Sequence, residues 1–325
     1  MSKRGRLLVA LSAAVVAVLV GLNLLAYIHA YAMTHFSVGG ARTPKPEELS
    51  FGEKLKVLCV GTRIPRPESQ LPPSALGPEC RSLKLTGTKG VMLGAWYCAA
   101  DPASPLVILF HGYAGDKTGT LPEARAFLQL GLSVLLVDFR GSGESSAAYT
   151  TIGYDEAEDV ASAVHYARTH LGHPKIVLYG VSMGAAAVLR AVANDQVRPD
   201  AIIAEAVFDR MLSTVKNRFE ILHVPSFPGA QLLVFWGGWG AGFNAFKHNP
   251  ADYARAVRCP ILFLHGSADP RARVTEARQV FAQVPGSKWF HEFPGVRHEA
   301  AVKRFPQEWT ETVRSFLAEV ERQPN

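Results

Sequence analysis

An α/β fold, a mostly parallel central sheet with helices on both faces, is what this sequence predicts, on three observations. The apolar segments are continuous runs rather than alternating ones, the pattern of strands buried on both faces. Stretches with helical spacing separate those runs, so strand and helix alternate along the chain. The chain has 325 residues, 48% of them hydrophobic and 19% charged, enough to fill one large core or two small ones.

The N-terminus comes first and differs from the rest. Lys3, Arg4 and Arg6 precede a stretch from Leu7 to Ala32 that holds no Asp, Glu, Lys or Arg. That exceeds the roughly 20 residues needed to cross a bilayer as a helix, and the segment is apolar on every face. A signal peptide has an apolar region of only about 7 to 15 residues, so the length favours an uncleaved anchor over residues 1–32. Cleavage at the AxA-like Ala30, Tyr31 and Ala32, giving a secreted protein, is the alternative. With only Arg42 and Lys45 following closely, the positive-inside rule puts the N-terminus in the cytoplasm and the rest outside. These terminal charges supply half of the formal +6. No later basic run is interleaved with aromatics, which excludes phosphate tracking along nucleic acid.

Residues 33–80 form a proline-rich juxtamembrane segment without a core of its own. Four cysteines are present. In an oxidising compartment Cys59 and Cys80, which bracket its proline-rich stretch TRIPRPESQLPPSALGPE, are the expected disulfide, with Cys98 and Cys259 as small buried residues.

From Leu83, KLTGTKGVMLGAWYC reads as a β-hairpin. Apolar strands follow at PLVILFHG, LSVLLVDFR, KIVLYGVS, AIIAEAVFD and CPILFLHG, with a weaker one at SKWFHEF. Helices fall at LPEARAFLQLGL, residues 154–171, MGAAAVLRAVAN, TEARQVFAQV and finally residues 299–320. The roughly fifty residues between AIIAEAVFD and CPILFLHG are too many for a plain connection. This insertion, 210–258, is expected to be a lid. Its Trp236 and Trp239 suit either an acyl-binding wall, a membrane-facing surface or a helix packed on the sheet edge.

In open α/β sheets chemistry collects beyond the carboxyl ends of the strands. The pentapeptide GVSMG places Ser182 where KIVLYGV ends and MGAAAVLRAVAN begins, the strand, sharp turn and helix of a nucleophile elbow. Gly180 and Gly184 are needed there because side chains would collide with the neighbouring strand and helix. A serine hydroxyl needs a base, and the base needs an orienting group. His298, after Pro294 and Gly295, is the expected base, and His291 lies within the last strand as a structural residue. Asp269 follows CPILFLHG and is the expected acid, with Glu205 and Asp209 as rivals. Ser182, Asp269, His298 is the nucleophile, acid, base order known for hydrolases of this kind.

FHGYAGDK, DFRGSGES, IGYDEAEDV, GVSMG, LHGSAD and GVRHEA together resemble the serine aminopeptidase-like branch of the α/β-hydrolase superfamily, which includes membrane-associated esterases and thioesterases. The resemblance covers roughly residues 81–322, leaving the N-terminal 80 without a counterpart. It implies an oxyanion hole made by the backbone N–H groups of Tyr113 and Met183, with His111 and Gly112 shaping that loop, and Asp138, Arg140 and Ser145 as scaffold. The expected function is a membrane-tethered serine hydrolase cleaving carboxylic ester or thioester bonds. It would take a small or lipid-like acyl substrate and need no cofactor, metal or nucleic acid. A serine peptidase of the same fold and a non-catalytic binding module are the alternatives.

Overall fold

The computed structural model describes residues 2–44, 48–101, 103–194 and 196–322; Lys45, part of the charge balance above, lies outside them. These residues form an eight-stranded sheet in the order β1-β2-β4-β3-β5-β6-β7-β8. The hairpin β1 (Arg81–Thr86) and β2 (Met92–Cys98) makes the antiparallel edge. The other six strands are parallel: β3 (Leu106–Phe110), β4 (Ser133–Val137), β5 (Ile176–Val181), β6 (Ala201–Glu205), β7 (Ile261–Gly266) and β8 (Lys288–Phe293).

The helices are α1 (Lys3–Thr34), α2 (Phe51–Val60), α3 (Leu121–Gln129), α4 (Glu156–Tyr166) and α5 (Met183–Ala193), then α6 (Met211–Leu222), α7 (Gly229–Gly240) and the one-turn α8 (Pro250–Tyr253), and finally α9 (Val274–Gln283) and α10 (Pro306–Arg322). Two cores explain why β3 is apolar at every position. Leu106, Ile108 and Phe110 face one layer with α4, α5 and α9, through Val160, Ala163, Val188, Ala191 and Val280. Val107 and Leu109 face the other, with α3 and α10, through Leu121, Phe127, Trp309, Val313 and Phe316. Alternate residues of a strand point to opposite faces, so two covered faces demand an unbroken apolar run. Each such large side chain contributes about 1.5–3 kcal/mol on burial.

Three expectations change. The disulfide joins Cys80 to Cys98 rather than to Cys59. The hairpin register decides this: Arg81 stands opposite Tyr97, so Cys80 falls opposite Cys98, at a Cα separation of 4.3 Å. Cys59 sits exposed on α2 and Cys259 is a half-buried free thiol. The last long helix begins at Pro306 rather than 299, because a turn over Ala301–Lys303 and Phe305 intervene. The helix expected over 154–171 is regular only to Tyr166, after which Ala167–Leu171 form a wider turn.

Residues 33–44 and 48–66, which the sequence left without structure, lie against the rest of the chain. Phe36 is buried and its N–H donates to Ala148 O at 2.9 Å. Arg66 reaches the carbonyls of Ala147, Gly143 and Ser145. α1 has two halves. Leu7 to Leu24 expose their apolar side chains, whereas Ala26 and Ala30 are buried. The buried part meets α7, where the Tyr27 and Trp236 rings stand edge to face at 5.5 Å and Trp236 Nε1 donates to Asn23 Oδ1 at 3.3 Å.

Candidate active site

β3 lies between β4 and β5, so the chain turns one way after β3 and the other way from β5. The crevice of an open α/β sheet forms at such a switch. Two loops meet there, 111–114 after β3 and Ser182 after β5.

Ser182 has φ 55 and ψ −109, a left-handed region a side chain rarely enters and one that stores strain at functional positions. The surroundings hold it: its N–H donates to Glu205 O at 2.8 Å and its carbonyl accepts from Ala186 N at 3.1 Å. A Cβ at Gly180 would stand 2.6 Å from the backbone of Gly184 and Ala185, and one at Gly184 would strike Phe110 O. Strand and helix can approach that closely only through glycine. Ala185, Ala186 and Ala187, all buried, continue the close contact along α5.

His298 and Asp269 come from two neighbouring loops stitched together. Ser267 N donates to Phe293 O at 3.0 Å, Ala268 N to Val296 O at 3.0 Å, and Gly295 N to Ser267 Oγ at 2.8 Å. The structure thereby brings the three expected side chains into one chain of hydrogen bonds. His298 Nδ1 donates to Asp269 Oδ2 at 2.6 Å, and Nε2 lies 3.1 Å from Ser182 Oγ. The second carboxylate oxygen, Oδ1, accepts from Arg271 N at 2.8 Å and Ala272 N at 3.0 Å. Burial raises the Asp269 carboxyl, but the His298 bond and charge and the Ala272 amide outweigh it, so its affinity for a proton falls below the ordinary value. It stays ionised, as an orienting acid must.

The rivals stand elsewhere. Glu205 accepts from Tyr179 OH at 2.8 Å, Trp309 Nε1 at 3.1 Å and Ala301 N at 3.0 Å. It fixes the turn that follows His298, a positioning role the sequence did not reveal, since its donors lie up to about a hundred residues away. Asp209 is buried beside Arg210. His291 lies in β8 and donates to Glu308 Oε1 at 2.8 Å. Asp138, Arg140 and Ser145 form buried networks: Asp138 pairs with Lys117 at 2.6 Å, Arg140 with Asp159 at 2.8 Å, and Ser145 Oγ donates to Asp138 O at 2.7 Å. The Lys117 partner escaped the sequence reading; its only signal was a lysine inside the FHGYAGDK motif.

His111 is buried, which pushes its ring below the ordinary histidine range. Its Nε2 accepts from Phe139 N at 3.1 Å, so Nδ1 carries the proton and donates to Gly112 O at 2.8 Å. This shapes the 111–114 loop. A Cβ at Gly112 would lie 3.7 Å from the Ser182 Cβ, so the loop runs beside the serine. Met183, on the other side, opens α5, and the first N–H groups of a helix have no partner within it. Tyr113 OH donates to Met33 O at 2.6 Å, linking the loop to the end of α1. Among the described residues no group of three His, Cys, Asp or Glu side chains is arranged to hold a metal ion.

A family model described as the alpha/beta hydrolase fold matches residues 105–215. The uncharacterised protein YqkD of Bacillus subtilis is 26% identical over 233 residues, covering 70% of this chain and 76% of that one. Protein bem46 of Schizosaccharomyces pombe is 27% identical over 220 residues, 66% of this chain and 68% of its own. Among solved structures, the Pyrococcus furiosus esterase Pf2001 superposes with a TM-score of 0.65 at 22% identity, covering 78% of this chain and 98% of that one. Est1E of Butyrivibrio proteoclasticus, with ferulic acid bound, gives 0.59 at 18% identity, with 74% and 99% coverage. Elbow, strand order and family match converge on one conclusion: this chain has the α/β-hydrolase fold.

Proposed function

We propose that this protein is a membrane-tethered serine hydrolase that cleaves carboxylic ester or thioester bonds through an acyl-enzyme on Ser182. One observation carries the reading: the hydrogen-bonded run from Asp269 through His298 to Ser182, at 2.6 and 3.1 Å.

In this mechanism Ser182 Oγ bonds to the substrate carbonyl carbon while its proton passes to His298 Nε2. The carbonyl π electrons move to oxygen, and the N–H groups of Tyr113 and Met183 receive that negative charge. One such donor is typically worth about 10²–10³ in rate. The tetrahedral intermediate then breaks its bond to the alcohol or thiol, which leaves with the proton from His298. Water, deprotonated by the same imidazole, repeats the addition on the acyl-enzyme and releases the acid.

The lining beside Ser182 supports an acyl substrate over an N-terminal peptide. Met33, Ile152, Phe208, Met211 and Val215 face that space, and among the described lining residues there is no carboxylate to hold a substrate ammonium. The superposition on Pf2001, an esterase, agrees with ester chemistry. Residues 210–258, whose α6 lines this space through Met211, Thr214, Val215 and Arg218, act as the lid. α1 supplies the tether, being long and apolar enough to cross a membrane; the N-terminal charges place its start on the cytoplasmic side.

The test is a fluorophosphonate probe. The wild-type protein is expected to be labelled and Ser182→Ala to lose the label; equal labelling of both would overturn the assignment.

A further inference from the structure

The space directly at Ser182 is small, about 20 Å³, which is room for about one water and not for an acyl chain. Two larger spaces adjoin it. One, of about 50 Å³, runs toward Ala30, Gly237 and Gly238. The other, of about 180 Å³, is entered past Met33, Tyr113, Val215 and Arg218, which line both it and the serine space. Leu49, Val57, Leu58, Ile64, Phe219 and Leu222 form much of its apolar wall, and Arg42 and Arg271 are among its polar lining.

Much of that wall comes from residues before the hydrolase fold begins. The end of α1 and Leu58 on α2 are held in place by hydrogen bonds. His29 Nε2 donates to Leu58 O at 3.1 Å, Thr150 N donates to Thr34 O at 2.8 Å, and Tyr113 OH donates to Met33 O. The cavity is therefore preformed, and its occupant need not supply the entropy of ordering its walls.

Resting on the hydrolase reading above, we propose that this cavity holds the acyl chain of the substrate, that Met33 is the gate through which the chain passes from Ser182, and that the substrate class is long, unbranched acyl esters or thioesters. The N-terminal segment is then part of the specificity site as well as the tether. A chain that fills the larger cavity gains the transfer energy of its buried methylenes, and that gain is unavailable to a short acyl group.

Two measurements on the full-length chain in one detergent test this. The first compares p-nitrophenyl laurate with p-nitrophenyl butyrate. Met33→Trp and Leu222→Trp are each expected to lower the laurate-to-butyrate ratio of kcat/KM by at least about tenfold; an unchanged ratio in both would overturn the proposal. The second needs no variant. A dodecyl fluorophosphonate ending in a diazirine is attached to Ser182 and photolysed, and cross-links are expected at 49–64 or 219–222. Cross-links confined to 235–246, or to none of the lining residues, would overturn the chain site. Failure of a short ethyl fluorophosphonate to label Ser182 would instead remove the hydrolase reading and this inference with it. Labelling by the short probe combined with misplaced cross-links would remove this inference alone.

Discussion

Ser182 sits at φ 55 because its neighbours leave no alternative: Gly180 and Gly184 remove the Cβ atoms that would collide, and Glu205 O accepts its N–H. The orienting acid is equally specified. Asp269 has both oxygens engaged, one by His298 and one by two backbone N–H groups, so an amide in its place could present an N–H to the imidazole and stabilise the wrong tautomer. On the proposed mechanism Asp269→Asn lowers kcat by about 10³–10⁴ with little change in KM. Steady-state ester hydrolysis checks this, and a loss confined to KM would contradict the orienting role. These three residues could be read from the sequence because each follows a strand end and the strands are marked by apolar runs. Glu205 was visible only as a rival acid, since its three donors come from β5, the turn after His298 and α10.

Among the elements, the 210–258 insertion depends on a buried histidine. His248 joins Tyr253 OH, 3.0 Å from Nδ1, to Ile152 O, 3.0 Å from Nε2, and so ties the end of the insertion to the turn beside the serine space. Burial pushes it down to about 4, helped by Arg190 and opposed by the Ile152 carbonyl. The unfolded histidine takes up a proton below its ordinary 6.5 while the folded one stays neutral until about pH 4, so this group's contribution is full above 6.5 and is lost as pH falls toward 4. The loss approaches about 3 kcal/mol. Urea titrations in detergent at pH 7 and pH 4.5 are expected to show a pH-dependent loss in the wild type that is smaller by about 2–3 kcal/mol in His248→Gln; equal losses would contradict the assignment. The composition of this insertion announced apolar helices but not their partners. α7 packs on α1, more than two hundred residues earlier in the chain, and a helix that is apolar nearly all round carries no periodic mark of the face it buries.

For the molecule as a whole, α1 divides near Asn23. The part from Leu7 to Leu22 is exposed, and the part from Ala26 to Thr34 is joined to α7, the 148–150 loop and Tyr113. Deleting residues 2–22 is therefore expected to release the protein from the membrane fraction with a Tm within about 2 °C of the parent, whereas deleting residues 2–34 lowers Tm by more than about 5 °C. Ultracentrifugation and thermal melts of the two truncations check this; equal melting points would contradict the division.

The sequence by itself determined the layered α/β fold, the order of its strands and helices, the apolar N-terminal helix and the places of Ser182, Asp269 and His298 beyond strand ends. Each of these is a local pattern, a run of apolar residues or a residue at its end, and local patterns survive in one dimension. Tertiary structure decided the rest: which cysteine faces Cys80, where the last helix starts, how Glu205 is employed, and that Met33, Leu49, Val57, Leu58 and Ile64 wall the space beyond Ser182. Those outcomes depend on strand register and on contacts between segments far apart in the chain, and a contact of that kind leaves no periodic trace in either partner.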